Sequence, residues 1–370
     1  MRKNILSTVL LMGVLVLGVT GCGSDASTSK NTSNPVKENS QKELTLGEIE
    51  NLAKQEGKIV SVGMPDAWAN WKDTWNALTT KYGLSHTDTD LSSAEELAKF
   101  EAEKNNPTAD IGDVGISYGH MAVEKGLTLP YKTTHWNDVP DWAKDDQGNW
   151  IVGYQGTLAL ITDKNLVKNP PKTWDELLEG NYKVLVNDPT TSNQGQMSIL
   201  AAAIAQGGNE GNIQPGLDYF AQLAKQGRLV TRSVRPTDLE KGEVPVSFLW
   251  DFTALGYRDQ VDPNRFEVSI LKEGSVISAY TTIINKYAPH PNAAMLAREY
   301  MLSDEGQINF AKGYARPIRT NVKLPEEVTK KLLPAEQYQN AKPILDYKVW
   351  EKTSKQLPQL WQEQVLVHVK

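Results

Sequence analysis

The sequence has few residues suited to metal binding or covalent catalysis. It contains one cysteine and five histidines in 370 residues. The histidines show neither an HExxH pattern nor another paired metal-ligand spacing, so neither a metal site nor a cofactor is expected. These histidines are His86, His120, His135, His290 and His368. No G-x-S-x-G element or Ser-His-Asp order is visible either, and the sequence predicts a protein that is not an enzyme.

Excess positive charge is also missing. The formal net charge is −6 at pH 7, which disfavours nucleic acid as a partner. Beyond the N-terminus, no stretch approaches the length and apolarity of a membrane-spanning helix. With 39% hydrophobic and 23% charged residues, the chain has globular composition and is long enough for two domain-sized cores.

The N-terminus has the pattern of an export signal. Two basic residues precede an apolar stretch at 5–19, which is too short to span a bilayer comfortably. Val-Thr-Gly-Cys at 19–22 resembles a lipobox, the cleavage site of bacterial lipoproteins. We therefore predict a signal peptide at 1–21, lipidation of Cys22, and a lipid-anchored disordered tether at 22–44. A reactive thiol or an intermolecular disulfide at Cys22 is the alternative.

From about Thr45, short apolar runs alternate with amphipathic segments, which predicts an α/β fold. KIVSVGM at 58–64 is typical of a strand. A helix is predicted at 66–82, and another at 91–104 with Ser93 and Glu96 in capping-box spacing. TADIGDVG at 108–115 predicts the next strand and turn, and a second α/β set follows from about residue 149.

Two longer runs carry a family resemblance. GYQGTLALITDKNLVKNPPKTWDELL at 153–178 and PHPNAAMLAREYMLSDEGQINFAKGYARPIR at 289–319 resemble type 2 extracellular solute-binding proteins. Specifically, they resemble the group that includes iron, thiamine, polyamine and aminophosphonate receptors of ABC importers. The resemblance covers essentially everything from about 57 to 345.

The resemblance implies a two-lobed periplasmic-binding-protein-like fold of type 2. Lobe 1 would comprise 45–153 and 282–370, and lobe 2 would comprise 154–281. Two crossing strands would join the lobes at a hinge, near Tyr154 and near Ala279. The implied partners are a small-molecule ligand and an ABC permease with its ATPase, and a monomer is expected.

Ligands of such open α/β receptors bind between the lobes, where strands end and helices begin. GMPDAWANW at 63–71 is one such junction. Trp71 and Trp75 belong to an apolar stripe with helical spacing and are predicted to lie in the core. Asp66 and Trp68 stand at the predicted helix start. Each could either cap or pack locally, or contact the ligand.

Other junctions offer groups that suit a cation. Asp113, in DIGDVG, could face a cationic ligand or order its own turn. Trp250 and Asp251 pair an aromatic ring with a carboxylate, which suits an ammonium or ring cation. A packed tryptophan and a turn aspartate explain the same pair. Tyr154 is a candidate because it lies at the first crossing.

DPTTSNQGQ at 188–196 offers groups that suit an anion. Thr191, Ser192 and Gly195 precede a long helix, whose free backbone amides attract phosphate or carboxylate. A simple helix cap is the alternative explanation. Together with the acidic residues, this loop favours a cation such as a polyamine or thiamine, or a zwitterion such as an aminophosphonate.

We therefore expect an extracytoplasmic receptor, anchored to the cell membrane, that captures a small organic cation or zwitterion and delivers it to a permease. The alternatives are a ferric-ion or phosphate-ester receptor of the same family, or an enzyme or sensory co-receptor on the same fold. Iron receptors of the group present adjacent tyrosines near the Gly-Tyr motif, whereas GYARPIR supplies only Tyr314. This difference argues against ferric ion.

Overall fold

A computed structural model describes residues 44–369. The predicted signal peptide, Cys22 and the tether up to residue 43 lie outside the described residues. The strands are β1 (Lys58–Val62), β2 (Ser85–Thr89), β3 (Ile111–Gly115), β4 (Trp150–Asp163), β5 (Val184–Val186), β6 (Leu229–Thr231), β7 (Val246–Trp250), β8 (Phe266–Ser269), β9 (Ser275–Ile284), β10 (Arg316–Pro317) and β11 (Ala341–Pro343).

Helices alternate with most of these strands, as the sequence pattern predicts. They are α1 (Leu46–Glu56), α2 (Trp71–Tyr82), α3 (Ser93–Ala102), α4 (Ile116–Glu124), α5 (Trp174–Glu179), α6 (Asn193–Ala205), α7 (Gln214–Lys225), α8 (Pro236–Glu240), α9 (Asp251–Val261), α10 (Pro291–Leu302), α11 (Asp304–Lys312), α12 (Glu326–Thr329) and α13 (Tyr347–Gln364). No helix in residues 44–369 is long and apolar enough to cross a membrane.

The strands form two sets joined through two shared strands. The order is β2-β1-β3-β9-β4-β7-β5-β6, with β8 and β10 also paired to β4 and β11 to β9. We call β1, β2 and β3 the first strand set, and β5 to β8 the second strand set. Within the sets, β1 is parallel to β2 and β3, and β5 is parallel to β6 and β7. Parallel strands bring their carboxyl ends to one edge, where α/β proteins bind ligands.

Strands β4 and β9 connect the two sets. The first half of β4 pairs with β9, with Tyr154 opposite Tyr280 and Gln155 opposite Ala279. The second half pairs with β7 and β8. Two crossing strands near Tyr154 and Ala279 are therefore confirmed.

The predicted lobe boundaries at 154 and 282 remain a prediction. The C-terminal helix α13 contacts elements near both strand sets. Trp350 donates a hydrogen bond from Nε1 to Ser117 of α4, and the ring of Trp361 packs on Phe220 of α7.

Helix α2 begins five residues later than predicted. Residues 66–70 form turns, in which Ala69 and Asn70 adopt positive φ values of 48° and 58°. Asn70 occupies the N-cap position, so of the two alternatives for Asp66, capping of this helix is excluded. Left-handed backbone at consecutive residues ends helical geometry, which is why the helix cannot extend back to Asp66.

The capping box of α3 also lies one residue earlier than predicted. Ser92 and Glu95 form it, not Ser93 and Glu96. Ser93 instead accepts a hydrogen bond from the backbone N–H of Gly115. The shift directs Glu96 toward β3, where it becomes part of the candidate site.

The tryptophan stripe of α2 is buried as predicted. Trp71 and Trp75 are 1% and 3% exposed and stack with ring centroids 5.2 Å apart. Trp75 also stacks on His86 at 3.8 Å and donates from Nε1 to the carbonyl of Met64. The indole therefore joins α2 to β2 and to the loop that follows β1.

Trp75→Ala should lower the free energy of unfolding by about 3 to 5 kcal/mol, because it removes a large buried ring and leaves a cavity. Trp142→Ala is the control, since Trp142 is 40% exposed. It should change stability by less than about 0.5 kcal/mol. Denaturant titration measures both, and similar small losses for the two variants would contradict the assignment.

Candidate ligand-binding site

A cavity of about 730 Å³ lies where elements of both strand sets meet, and we call it the central cavity. Its volume is typical of small-molecule sites. The first strand set contributes the segments after β1 and β2, the start of α3 and the end of β3. The second set contributes the loops after β5 and β6 and one side of α9. Tyr280 on the crossing strand β9 completes the lining.

Two longer helices begin at the central cavity. Ser192 caps α6, accepting from the backbone N–H of Gly195, and Ser92 caps α3. Because the first backbone N–H groups of a helix lack intrahelical partners, each start offers donors and a partial positive charge to the cavity.

Asp113, in the middle of β3, is a buried carboxylate on the lining and is 2% exposed. Its Oδ2 accepts hydrogen bonds from the Tyr154 hydroxyl and, at 3.4 Å, from Trp71 Nε1. The Tyr154 hydroxyl in turn accepts from Trp68 Nε1. Asp113 Oδ1 has no partner. Burial raises the pKa of Asp113 to about 8, although the hydrogen bonds from Tyr154 and Trp71 oppose this shift.

Glu96 lies beside Asp113 and is 1% exposed. Its Oε2 accepts from the backbone N–H of Asp113 at 3.0 Å. A Cβ at Gly63 would lie 2.1 Å from Oε1, and one at Gly112 would lie 2.5 Å from Oε2. The carboxyl group therefore fills space that only two glycines leave open. Burial, and next the charge of Asp113, raise the pKa of Glu96 well above its usual value.

Three further carboxylates and one guanidinium line the cavity. The carboxylates belong to Asp90, Glu95 and Asp188, and the guanidinium belongs to Arg235. Glu95 accepts hydrogen bonds from the hydroxyl and backbone N–H of Ser92, which lower its pKa. Arg235 forms no ion pair within 4 Å among residues 44–369, but its charge opposes the rise that burial causes in the pKa of Asp90. The lining thus carries five carboxyl groups and one guanidinium.

An aromatic group closes one side of the cavity. The half-buried ring of Trp68 meets Phe252 edge-on at 5.1 Å and Tyr280 at 5.2 Å. The Tyr280 hydroxyl accepts from Trp250 Nε1 at 2.9 Å. Trp68 comes from the turn after β1, whereas Phe252 belongs to α9, so this contact bridges the two strand sets.

The predicted site residues fall into three groups. Trp68, Asp113, Thr191 and Ser192 line the central cavity. Asp66 is exposed and lines a neighbouring pocket of about 390 Å³. The remaining four lie behind the lining and are buried: Tyr154, Gly195, Trp250 and Asp251.

Asp251 and Gly195, two members of this buried group, have structural roles. Asp251 accepts from the backbone N–H groups of Thr157 and Phe252 and from the Tyr338 hydroxyl, so both its oxygens are engaged. A Cβ at Gly195 would lie 2.4 Å from the carbonyl oxygen of Asn187, which fixes this position as glycine. Direct contact between these residues and a ligand remains a prediction.

Among the lining residues that sequence reasoning missed are Glu96, Asn193, Arg235 and Tyr280. Glu96 was assigned to a capping box. Asn193 directly follows Thr191 and Ser192, which were predicted, but was not itself chosen. A weak signal existed for Arg235, because an arginine directly before Pro236 stands at a helix start. Tyr280 lies within the predicted crossing, where the pattern of SVISAYTTII indicates a strand and nothing more.

Ser61, His86 and Asp88 meet in the first strand set. Ser61 Oγ lies 2.8 Å from His86 Nε2 and 2.5 Å from Asp88 Oδ1. Asp88 therefore contacts the serine, whereas in a catalytic triad the carboxylate orients the histidine. Ser61 is also fully buried. This cluster joins β1 to β2 and does not present an accessible nucleophile.

Residues 106–348 match the family model described as bacterial extracellular solute-binding protein. The chain belongs to this family, whose members are transport binding proteins of ABC systems. The resemblance inferred from the two sequence runs is thereby confirmed.

Two curated relatives are named for different solutes. The thiosulfate-binding protein of Pseudomonas aeruginosa is 25% identical over 242 residues, which span 59% of this chain and 71% of the relative. A putative 2-aminoethylphosphonate-binding periplasmic protein of Salmonella typhimurium is 23% identical over 163 residues, or 44% of this chain and 46% of the relative.

Solved structures share the fold. The periplasmic binding protein AfuA of Actinobacillus pleuropneumoniae, with fructose-6-phosphate bound, aligns with a TM-score of 0.69 and 19% identity over 84% of this chain and 98% of that one. A periplasmic thiamin-binding protein aligns with a TM-score of 0.68 and 19% identity over 85% and 96%. The two-lobed α/β fold predicted from the sequence is confirmed.

The protonation of Asp113 predicts a pH-dependent stability. Its pKa is about 8 in the folded protein and near 3.8 in an exposed reference state. Between these values the folded protein holds a proton that the unfolded chain has lost, so stability falls as pH rises. In Asp113→Asn this loss is absent. Relative to the parent, the variant's free energy of unfolding should rise by up to about 1.4 kcal/mol per pH unit from pH 5 to 8.

Denaturant titrations of the ligand-free proteins at several pH values measure this trend. A difference between variant and parent that stays constant with pH would contradict it.

Proposed function

We propose that this chain captures a small amine-bearing organic solute, cationic or zwitterionic, in the central cavity and delivers it to an ABC permease. The observation that carries this proposal is the composition of the lining, five carboxyl groups against one guanidinium. Asp113 and Glu96, the two most buried of these groups, have no cation paired with them among the described residues. A ligand cation would supply the missing charge.

Magnitudes favour the carboxylates over the aromatic rings as the source of cation affinity. A carboxylate about 4 Å from an ammonium gains about 4 kcal/mol at an effective dielectric constant of about 20, before desolvation costs. A cation-π contact contributes about 0.5 to 2 kcal/mol. The ring of Trp68 therefore adds apolar contact, while Asp113 and Glu96 provide most of the selection for positive charge.

The lining also supports an anionic group on the same ligand. Arg235 lies on it, as do Thr191 and Ser192, which precede α6. Both features suit phosphonate, phosphate or carboxylate. A zwitterion such as 2-aminoethylphosphonate, for which one relative is named, would use these groups and the buried carboxyl groups at once.

A purely anionic ligand is the second candidate. The relative named for thiosulfate and the structure holding fructose-6-phosphate favour it, as does Arg235. Under this alternative the carboxyl groups of Asp113 and Glu96 would stay protonated and donate hydrogen bonds. Their raised pKa values agree with that state at neutral pH.

Membrane anchoring belongs to the same proposal. Lipid on Cys22 would hold the receptor near its permease, and the segment up to residue 44 would give it reach. Mass spectrometry of the native N-terminal peptide tests whether Cys22 carries a diacylglyceryl group.

The pair β4 and β9 would act as the hinge, since a ligand in the central cavity contacts elements of both strand sets.

Thermal unfolding with a ligand panel tests the proposed solute class. The panel holds putrescine, spermidine, thiamine, 2-aminoethylphosphonate, thiosulfate, fructose-6-phosphate and ferric ion. At about a hundred times its dissociation constant, a true ligand should add about 2.7 kcal/mol of stability. We expect a shift with an amine-bearing member. A shift with thiosulfate, fructose-6-phosphate or ferric ion alone would contradict the proposal.

Trp68→Ala should weaken binding of the identified ligand by one to two orders of magnitude, about 1.4 to 2.8 kcal/mol. The melting temperature of the empty protein should hardly change, because Trp68 is only half-buried. Trp68→Phe is the matched control, since it keeps an aromatic ring but loses the Nε1 donor to Tyr154. Isothermal titration calorimetry compares the three proteins. Equal affinities would show that Trp68 does not contact the ligand.

A further inference from the structure

We infer that the cationic group of the ligand is a primary ammonium bound at Asp113 and Asn193, and not a quaternary or ring cation. This inference rests on the proposed function and narrows the chemical class of its solute. Three features carry it: unpaired buried acceptors on the cavity lining, the position of Asn193 against β3, and aromatic rings that pack on one another.

Unpaired oxygens are the first feature. Asp113 and Asn193 are each 2% exposed, and Oδ1 of each has no hydrogen-bond partner. Asn187 Oδ1 is a third buried unpaired acceptor on the same lining. An unsatisfied buried acceptor costs about 1 to 3 kcal/mol, so such groups call for a donor. A primary ammonium carries three N–H donors and no acceptor, whereas a quaternary ammonium carries none.

The placement of Asn193 brings two of these acceptors to one side of β3. A Cβ at Gly115 would lie 2.3 Å from Asn193 Cγ, so the asparagine side chain packs directly on that strand. Asp113 and Gly115 are two residues apart in β3, and side chains at that spacing point to the same face. The carboxyl of Asp113 and the amide of Asn193 therefore project on the same side of the strand.

The aromatic residues do not form an open cage of the kind that recognises quaternary ammonium. The Trp68 ring is in contact with Phe252 and Tyr280, and its Nε1 is bonded to Tyr154. The Tyr280 ring stacks on Tyr154 at 5.9 Å with an interplanar angle of 7°. We therefore expect the cation to be recognised by hydrogen bonds to the unpaired oxygens of Asp113 and Asn193.

Binding of an ammonium at this position would also move a proton. Asp113 faces Glu96 of α3, Tyr154 of β4 and Trp71 of α2, with Asp88 of β2 adding negative charge. None of these groups is a cation. An ammonium beside Asp113 stabilises its carboxylate, so a proton held by Asp113 at neutral pH leaves to solvent when the ligand binds.

Calorimetry with paired amines tests the inference. The probes are 2-aminoethylphosphonate and putrescine, each compared with its fully N-methylated quaternary counterpart. For whichever amine binds, quaternisation should lower affinity by at least about 100-fold, because it leaves the buried acceptors unpaired. Titrations at pH 7 in buffers of different ionisation enthalpy should show release of up to one proton per ligand.

Asp113→Asn should lower affinity for the amine by at least about 100-fold and abolish proton release. Asn193→Ala should reduce the preference for the primary amine without abolishing proton release. Asp188→Asn is the charge-matched control. It removes another carboxylate of the lining, one that already accepts from the backbone N–H of Thr190, and should cost less than about tenfold.

Quaternary probes that bind within threefold of the amines would overturn the inference and leave the proposed function intact. So would full discrimination retained in Asp113→Asn. If neither the amines nor their quaternary counterparts bind while thiosulfate or fructose-6-phosphate does, the proposed function fails and the inference falls with it.

Discussion

The antiparallel pairing of β4 with β9 is the contact on which both the fold and the candidate site depend. It places Tyr154 opposite Tyr280 at the point where the chain passes from one strand set to the other. Tyr154 binds Asp113 and accepts from Trp68, while Tyr280 lines the cavity and accepts from Trp250. The residues that connect the strand sets therefore also orient the residues of the site. A change in the angle between the sets would alter the site directly.

The sequence predicted the elements well because local patterns determine them. The spacing of Trp71 and Trp75 identified a buried helix face, and the residues after each strand identified the edge at which the cavity lies. Local patterns do not determine which way a side chain points at a strand end. Leu249 lies on the cavity lining and Trp250 behind it, because successive strand residues face opposite sides. Similarly, the sequence did not show that the α3 cap lies one residue earlier, which leaves Glu96 facing β3 and not in the capping box.

Asp251 and Asp113 illustrate why the residue type alone was not enough. Both are buried carboxylates, Asp113 within β3 and Asp251 directly after β7, and burial raises the pKa of each. Asp251 has three donors for its two oxygens, whereas Asp113 keeps one oxygen unpaired. That difference depends on Tyr338 and Thr157, which are 87 and 94 residues away in the chain. Only tertiary contacts separate the structural aspartate from the candidate ligand-binding one.

The central cavity combines features that lower the stability of the empty protein, namely adjacent buried carboxyl groups and unpaired acceptors. Such features persist where function requires them. A ligand that pairs with these groups removes their energetic cost, and this gain contributes to the free energy of binding. Asp113 and Glu96 belong to the first strand set, whereas Asn193 and Arg235 lie on segments of the second. A ligand can drive closure only through contacts that differ between open and closed states. A solute that bridges these groups makes contacts with both strand sets only in the closed state, because each set alone offers only some of its binding partners.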